Sequence, residues 1–395
     1  MLVLPLCMVL MIVVVIALFD IIPIAKEWFG RIHIGRYSSR EQWRDAISRV
    51  GFKWLNAAPK LKITDNTRLI ALDVVRGKYS KSTIQQWQEA AILLGLSEMA
   101  KNGLKPAIKK QVDIYLHARL DEDGGWREPP RHVDIGILAY GLMKLPGGAD
   151  RRCKLALDQV WELIQAHIGS DGTVQYRTFM PNYRYVDTIG FICPFLIAYG
   201  LRYDKQECIE LAVKQLEHYD RFGMLNKSYI PSHAYHIESG LPAGLYGWGR
   251  GLGWFAIGLI DAWLELPNTH AYKQTLEGMV RKFAVSSLSF QNENGSWSWS
   301  VNRSEARADS STTAALGWFL KQASALPSLQ ESCSEGASKA QSYLMKVTRR
   351  NGAIDFSQGD TKDIGVYSML FSIMPFTQGF SMRMSHANLP LEELA

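Results

Sequence analysis

The chain has 395 residues, with a hydrophobic fraction of 47% and a charged fraction of 21%, which is typical of a globular protein with a large core. The formal net charge is only +6 and the basic residues are dispersed, so the chain lacks the clustered basic face of a nucleic-acid binder. Its 5 cysteines include no CxxC pair and no disulfide-like spacing, which suits a reducing compartment. We therefore expect no nucleic-acid partner, no metal and no cofactor.

The first predicted element is an unbroken apolar run over residues 1–19. About 20 such residues cross a bilayer as a helix. A cleaved signal peptide is the alternative, but no Lys or Arg precedes the run and no small-residue cleavage site follows it. Basic residues follow between 26 and 44, and positive flanks stay in the cytoplasm. We predict a single-pass anchor over 1–24 in the inner (cytoplasmic) membrane of a bacterium, with the N-terminus outside and the remaining chain in the cytoplasm.

Beyond the anchor, a short polar motif recurs in which Asp or Asn is followed by Gly and often by an aromatic residue. Its spacing of roughly 50 to 70 residues is typical of a repeat architecture. The motif lies at 121–126, 169–176, 220–225, 292–299 and 349–356. We call these segments the tips.

Helical stretches alternate around the tips. Each tip is followed by a stretch that is apolar nearly all round, as in buried helices. These stretches are 133–145, 186–201, 253–266, 310–323 and 363–374. Amphipathic stretches that suit an outer layer lie at 151–168, 205–220, 271–287 and 334–350. Residues 39–55 and 82–99 add one helix of each class, and no run shows the alternation typical of strands.

About six buried and six amphipathic helices predict an all-α fold, an (α/α)6 barrel over 25–380 with a tail over 381–395. An open solenoid is the alternative, but it needs polar capping repeats, and the sequence shows none. In the closed barrel, the inner helices all begin at the tip end. Helix N-termini favour anions, so a cavity at this end suits a carboxylated or phosphorylated ligand.

Two aspartates stand at the start of apolar helices in the same Val-Asp context. Asp134 begins the stretch after the first tip, and Asp187 begins the next. Either could be a helix N-cap, since Asp is among the best capping residues. Glycoside hydrolases usually act through two carboxyl groups that face one cavity. Crowding would raise the pKa of one of them and make it a general acid at neutral pH.

The third tip is followed by a long loop that carries further candidates. His233 and His236 lie within it, and Trp248, Arg250 and Trp254 lie among glycines at its end. An arginine in such a place can bind a carboxylate through two hydrogen bonds, or it can form a salt bridge to a neighbouring Asp. The two indole rings could stack on a sugar face, although most tryptophans simply pack in the core.

These segments together resemble the unsaturated uronyl hydrolases of glycoside hydrolase families 88 and 105. Residues 246–254, YGWGRGLGW, are similar to the WGRGNGW signature of these families, and 184–196 is similar to a second signature with an aspartate before an apolar helix. The resemblance extends over roughly residues 120–325. Leu252 stands where these families usually have Asn, and Tyr176 stands near the place where many relatives have a tip histidine.

The resemblance implies an (α/α)6 barrel without metal, acting on oligosaccharides that end in a uronic acid with a C4–C5 double bond. It implies that Asp187 is the general acid and base and that Asp134 is its supporting carboxylate. The substrate-binding residues it implies are His233 or His236, Trp248, Arg250, Trp254 and Tyr176. The partner is then an oligosaccharide with an anionic uronate end, whereas the oligomeric state stays open. Two alternatives remain, an ordinary inverting glycosidase on the same barrel and a non-catalytic, membrane-tethered sugar-binding scaffold.

Overall fold

A computed structural model describes residues 3–59, 65–66, 68–76, 85–101, 106–145 and 152–387 of the chain. Helices dominate these ranges. In chain order they are α1 Val3–Arg31, α2 Arg40–Asn56, α3 Ile70–Val75, α4 Gln86–Ala100, α5 Pro106–Arg119, α6 Ile135–Met143, α7 Lys154–Ala166, α8 Val186–Tyr203, α9 Gln206–Phe222, α10 Gly249–Glu265, α11 Lys273–Ser289, α12 Ser310–Ala323, α13 Gln330–Lys346 and α14 Pro375–His386.

Six of these helices form an inner ring, namely α4, α6, α8, α10, α12 and α14. Each contacts the next along the chain, and α14 contacts α4, so the ring is closed. An outer ring of α2, α5, α7, α9, α11 and α13 packs around it. The closed double ring confirms the predicted (α/α)6 architecture and excludes the open solenoid. Its core is apolar because the inner helices are buried on nearly every face.

The ring closes through glycines at the contact between its first and last inner helices. A Cβ atom at Gly379 of α14 would lie 2.1 Å from the carbonyl oxygen of Ala91, and one at Gly95 would lie 2.6 Å from the carbonyl oxygen of Gly379. Any side chain at either position would therefore push α4 and α14 apart. The two glycines allow the backbones to approach and seal the barrel.

Short strands occur in the connections, contrary to the expectation of none. They are β1 Tyr183–Tyr185, β2 Met224–Leu225, β3 Ile230–His236, β4 Pro242–Tyr246, β5 Ser357–Gln358 and β6 Phe371–Ser372. β3 pairs with β1, β2 and β4, and β5 pairs with β6. Most of these strands are too short to show an alternating pattern. Their pairing across distant tips depends on the barrel having formed.

Two helix assignments also differ from the expectation. Residues 363–374, predicted as the last inner helix, form an irregular loop and β6, and α14 takes that place instead. α14 continues through the expected start of the tail at 381, and Met382 and Met384 are buried in the core. Helix α5 supplies the outer helix before the first tip, which the sequence pattern did not single out.

Most of helix α1 projects beyond the barrel. It has 29 residues, is long and apolar enough to cross a membrane, and has no buried residue. A signal sequence near an N-terminus meets the same criteria of length and composition. Its last turns contact the barrel through ion pairs that are described below.

Candidate active site

Asp187 and Asp134 lie at the starts of neighbouring inner helices, at the tip end of the barrel. Asp187 occupies the first turn of α8, and Asp134 immediately precedes α6. The side chain of Asp134 makes no capping hydrogen bond to its helix, so capping does not account for it. Asp134 Oδ1 and Asp187 Oδ2 are both buried without a hydrogen-bond partner. Buried polar atoms are rarely left unpaired, so these two oxygens are candidates for chemistry rather than for structure.

The pKa values of both carboxyl groups are raised above the usual range. Burial raises the pKa of Asp187 to about 7, with Asp360 adding to the rise and Arg250 opposing it. Burial likewise raises the pKa of Asp134 to about 7, and Asp360 again adds to the rise. A carboxylic acid with a pKa near 7 can donate its proton at neutral pH, which is the requirement for a general acid.

His233 is the histidine that the structure places beside Asp187. Its Nε2 lies 3.6 Å from Asp187 Oδ2, and its Nδ1 lies 3.1 Å from the hydroxyl of Tyr367. That hydroxyl also accepts a hydrogen bond of 2.9 Å from the backbone N–H of Leu245. Burial lowers the pKa of His233 to about 3, so the ring is neutral at physiological pH. If Tyr367 donates to Nδ1, the ring proton sits on Nε2, the nitrogen that faces Asp187.

The strand register explains why His233 and not His236 reaches this position. In β3, His236 pairs with Tyr183 of β1, and its ring packs against the Tyr183 ring at 5.1 Å. Its Nδ1 lies 3.2 Å from the hydroxyl of Ser239, at the outer end of the strand. Residues three apart on a strand point to opposite faces, so only one of the two histidines can face the carboxylates.

Of the two candidate tryptophans, Trp248 lies in the site. Its ring is 4.5 Å from the His233 ring, and its Nε1 donates to Gln358 Oε1 at 3.1 Å. Trp254 instead packs against Trp87, Phe191 and Phe376 inside the barrel, with ring centroids 4.6–5.6 Å away. Trp248 is itself fully buried, so neither face of its ring is open to a sugar in this structure, and Trp254 lies in an aromatic cluster of the core.

Tyr176 lies close to both carboxylates. Burial raises its pKa well above the usual range, and Asp134 and Asp187 add to that rise. Its ring packs edge-on against Tyr185 at 5.4 Å. Leu252, the other departure from the family signature, is fully buried in α10.

Arg250 is buried in the site, but its guanidinium binds the protein's own backbone. One terminal nitrogen donates to the carbonyl of Gln358 at 2.7 Å, and the other donates to the carbonyl of Gly359. The second nitrogen also lies 3.4 Å from the hydroxyl of Thr361. Neither sequence-based alternative, a substrate carboxylate or a salt bridge to Asp, describes these contacts. In this structure Arg250 holds the segment 358–361 in place.

That segment leads into the loop 359–370, which contacts His233 and carries a charge close to both carboxyl groups, and which we call the covering loop. It contributes Asp360, whose charge raises the pKa of both catalytic candidates, and Tyr367, which contacts His233. Arg177, at the second tip, forms an ion pair of 3.4 Å with Asp363 of the loop. Sequence reasoning missed these residues because it predicted that much of the loop was an inner helix. The sequence did contain a signal against a buried helix, because residues 360–363 are four consecutive polar residues, Asp-Thr-Lys-Asp.

Within the described ranges, no group of three or more His, Cys, Asp or Glu side chains could hold a metal ion. The site is therefore an assembly of two buried acids, a neutral histidine, an aromatic wall and a covering loop. Two buried carboxyl groups at the tip end of a closed double ring of helices are typical of the site of a glycoside hydrolase.

The comparisons with known proteins agree with this class. The model of glycosyl hydrolase family 88 matches residues 63–369, and the chain belongs to this family. A search among curated proteins finds no sequence that matches the chain.

Solved structures share the fold at low sequence identity. A family 105 glycoside hydrolase from C. acetobutylicum ATCC 824 has a TM-score of 0.69 and 16% identity, over 80% of this chain and 97% of that chain. A possible family 105 member from Klebsiella pneumoniae has a TM-score of 0.74 and 15% identity, over 89% and 93%. An unsaturated glucuronyl hydrolase from Bacillus sp. GL1 has a TM-score of 0.64 and 15% identity, over 88% and 95%.

Proposed function

We propose that this glycoside hydrolase removes unsaturated uronyl residues from the ends of oligosaccharides by hydrating their C4–C5 double bond. The observation that carries the proposal is Asp187, a buried carboxylic acid with a pKa of about 7 and His233 at 3.6 Å. The family assignment supports it. Structural relatives named as unsaturated glucuronyl hydrolases, one of them specific for heparin, support it as well.

The chemistry follows from the properties of a vinyl ether. Asp187 donates its proton to C4, and the positive charge that develops at C5 is shared with the ring oxygen. Water adds at C5 and returns a proton to the Asp187 carboxylate, so the enzyme is regenerated. The hemiketal at C5 then opens and leaves a hemiacetal at C1, which expels the rest of the chain as an alcohol. General acid catalysis of this kind contributes about 10²- to 10⁴-fold in rate.

The surrounding residues influence the pKa of Asp187 and line the site in which the sugar binds. Asp360 places negative charge near the cationic transition state and also helps to keep Asp187 protonated, and Asp134 is a second buried acid of the site. His233 is a neutral hydrogen-bonding group beside Asp187, and Trp248 offers an aromatic wall next to it. Arg250 shapes this wall through its hold on the covering loop.

The test is to incubate the purified full-length protein with oligosaccharides produced by a polysaccharide lyase. The ultraviolet absorbance of the C4–C5 double bond should fall as the bond is hydrated. The matched control is the same oligosaccharide with its double bond reduced. An ordinary inverting glycosidase would cleave the reduced control, and a binding protein would leave both substrates intact.

We also propose that α1 is a single-pass membrane anchor with the barrel on the cytoplasmic side. The helix is apolar, fully unburied and followed by basic residues at 31, 36, 40 and 44. Positive flanks of this kind remain in the cytoplasm. A reporter fused to the C-terminus should be active in the cytoplasm, and activity only in the periplasm would contradict the orientation. N-terminal sequencing of the mature protein tests the signal-peptide alternative.

A further inference from the structure

Helix α1 is fixed to the barrel by ion pairs in its last two turns. Arg31 Nε lies 2.8 Å from Asp355 Oδ2, and Glu27 pairs with Arg349. Arg31 also donates to the carbonyl of Phe371 at 2.9 Å, and Glu27 accepts from the hydroxyl of Ser372 at 2.9 Å. Because Asp355 is buried and Arg349 nearly so, this contact is screened less than a surface pair. The end of α1 is therefore attached firmly to the barrel and does not connect to it through a loose linker.

The partners of α1 belong to the active-site end. Asp355 is followed three residues later by Gln358, whose side chain binds Trp248 and whose carbonyl binds Arg250. Phe371 pairs with the same Gln358 in the β5–β6 ribbon. The attachment of α1 thus includes β6, and the neighbouring strand β5 carries Gln358, which contacts Trp248.

A second contact joins α1 to the start of α3. The Asp20 carboxylate accepts hydrogen bonds of 2.8 Å from the backbone N–H groups of Leu69 and Ile70. A few residues earlier in the same segment, Asp65 accepts from the hydroxyl of Ser368 in the covering loop at 2.6 Å. Helix α1 therefore contacts the start of α3 at Asp20 as well as the fifth tip at Glu27 and Arg31.

The apolar part of α1 ends only a short distance along the helix from the residues that contact the tip end. At 1.5 Å per residue, Phe19 lies roughly 12 Å along the helix axis from Glu27. Trp28 and Phe29 are 63% and 65% exposed, and aromatic residues in such a position lie at the membrane–water interface. With only the turns before Asp20 inside a bilayer, a shorter span than the expected 1–24, the tip end is the part of the barrel that lies next to the headgroups.

A cationic cavity beside the attachment fits the same orientation. It has a volume of about 340 Å³ and is lined by His33, Arg36, Tyr37, Gln42 and Arg350. The two arginines are exposed. Exposed basic groups close to the end of a membrane helix attract the phosphates of anionic lipids.

We infer that the barrel presents its active-site end to the bilayer and acts on glycans held at that surface, whose far end is anchored in the same membrane by a lipid. This inference rests on the proposed hydrase activity and on the proposed anchor. Sharing one membrane raises the effective concentration of substrate at the site without any new contact. Its substrate class is an amphiphilic glycan with an unsaturated uronyl end.

One experiment measures orientation without any substrate. In a Cys7→Ala background, whose other cysteines are buried, a fluorophore is attached at Lys362→Cys in the covering loop or at Ala325→Cys at the opposite end of the barrel. The full-length protein is reconstituted in vesicles with headgroup-quenching lipids. Quenching at 362 and not at 325 is expected. Equal quenching, or quenching at 325 alone, would overturn the orientation.

A second experiment measures its consequence. The full-length protein in vesicles is given one unsaturated oligosaccharide, either free or coupled to a diacyl lipid in the same vesicles. The lipid-linked form should be consumed at least tenfold faster at equal total concentration. Glu27→Gln with Arg31→Gln keeps the anchor but loosens its hold on the tip end, so it should reduce that advantage, and it should keep turnover of the free form, since Asp355 retains its bond to Arg349. The matched control, Glu277→Gln with Arg281→Gln, removes a surface ion pair of α11 and should change neither rate.

The outcomes separate the two levels of the proposal. Turnover of the free oligosaccharide without a gain for the lipid-linked form overturns the inference and leaves the proposed function intact. If neither substrate loses its double bond, the proposed function itself fails, and the inference fails with it.

Discussion

Replacing Asp187 with Asn separates the chemistry of this position from its structural role. The amide has nearly the same shape as the carboxyl group and cannot transfer a proton to carbon. Because general acid catalysis contributes about 10²- to 10⁴-fold, turnover of the unsaturated substrate should fall by at least that factor. A residue that only starts a helix would tolerate this change, since Asn and Asp cap helices about equally well.

The same substitution should stabilise the protein, with a sign that depends on pH. The pKa of Asp187 rises from 3.8 in the unfolded chain to about 7 in the fold, so the folded state binds its proton more tightly. Stability is therefore lost as pH rises from about 4 to about 7, and the full penalty persists above pH 7. At about 1.4 kcal/mol per pH unit, this penalty is on the order of 4 kcal/mol.

Asparagine removes that penalty but leaves an amide without a partner, which costs about 1–3 kcal/mol. The net gain at pH 8 is then on the order of 1–3 kcal/mol, and below pH 4 the gain should disappear. Denaturant unfolding at the two pH values and the double-bond assay should be run on one preparation. A variant of near wild-type turnover, or one destabilised equally at both pH values, would refute the assignment of Asp187 as a buried general acid.

Three further predictions concern its neighbours. Asp360→Asn removes a negative charge near Asp187, so the pKa of that acid should fall, and the alkaline limb of the kcat/KM profile, set by loss of the Asp187 proton, should shift to lower pH; an unmoved limb would argue against the coupling. Tyr367→Phe leaves the half-buried N–H of Leu245 and Nδ1 of His233 without their partner, which should cost about 1 kcal/mol in unfolding free energy and also lower turnover. Arg250→Lys keeps the charge but cannot bind the carbonyls of Gln358 and Gly359 at once, so turnover should fall and proteolysis within 358–361 should become faster. Proteolysis at the wild-type rate would contradict this role.

Much of this arrangement was determined by the sequence alone. The recurrent tips and the alternation of apolar and amphipathic helices predicted the double ring, because a helix that is apolar on all faces can only be buried. The Val-Asp pair at the start of two such helices predicted that Asp134 and Asp187 both lie at the tip end, since inner helices of a closed ring all begin at one end. The segment 246–254 then indicated the family that the match over 63–369 confirms.

Tertiary structure decided the details on which the chemistry depends. Whether His233 or His236 faces Asp187 depends on β3 being a strand in a particular register with β1, a pairing between segments about 50 residues apart. The apolar residues of 363–374 satisfy a helical pattern equally well. They form a loop because Tyr367 and the Asp363 carboxylate find partners on β3, β4 and the second tip. Local sequence cannot encode such contacts, since each partner is brought into reach only when the ring of helices closes.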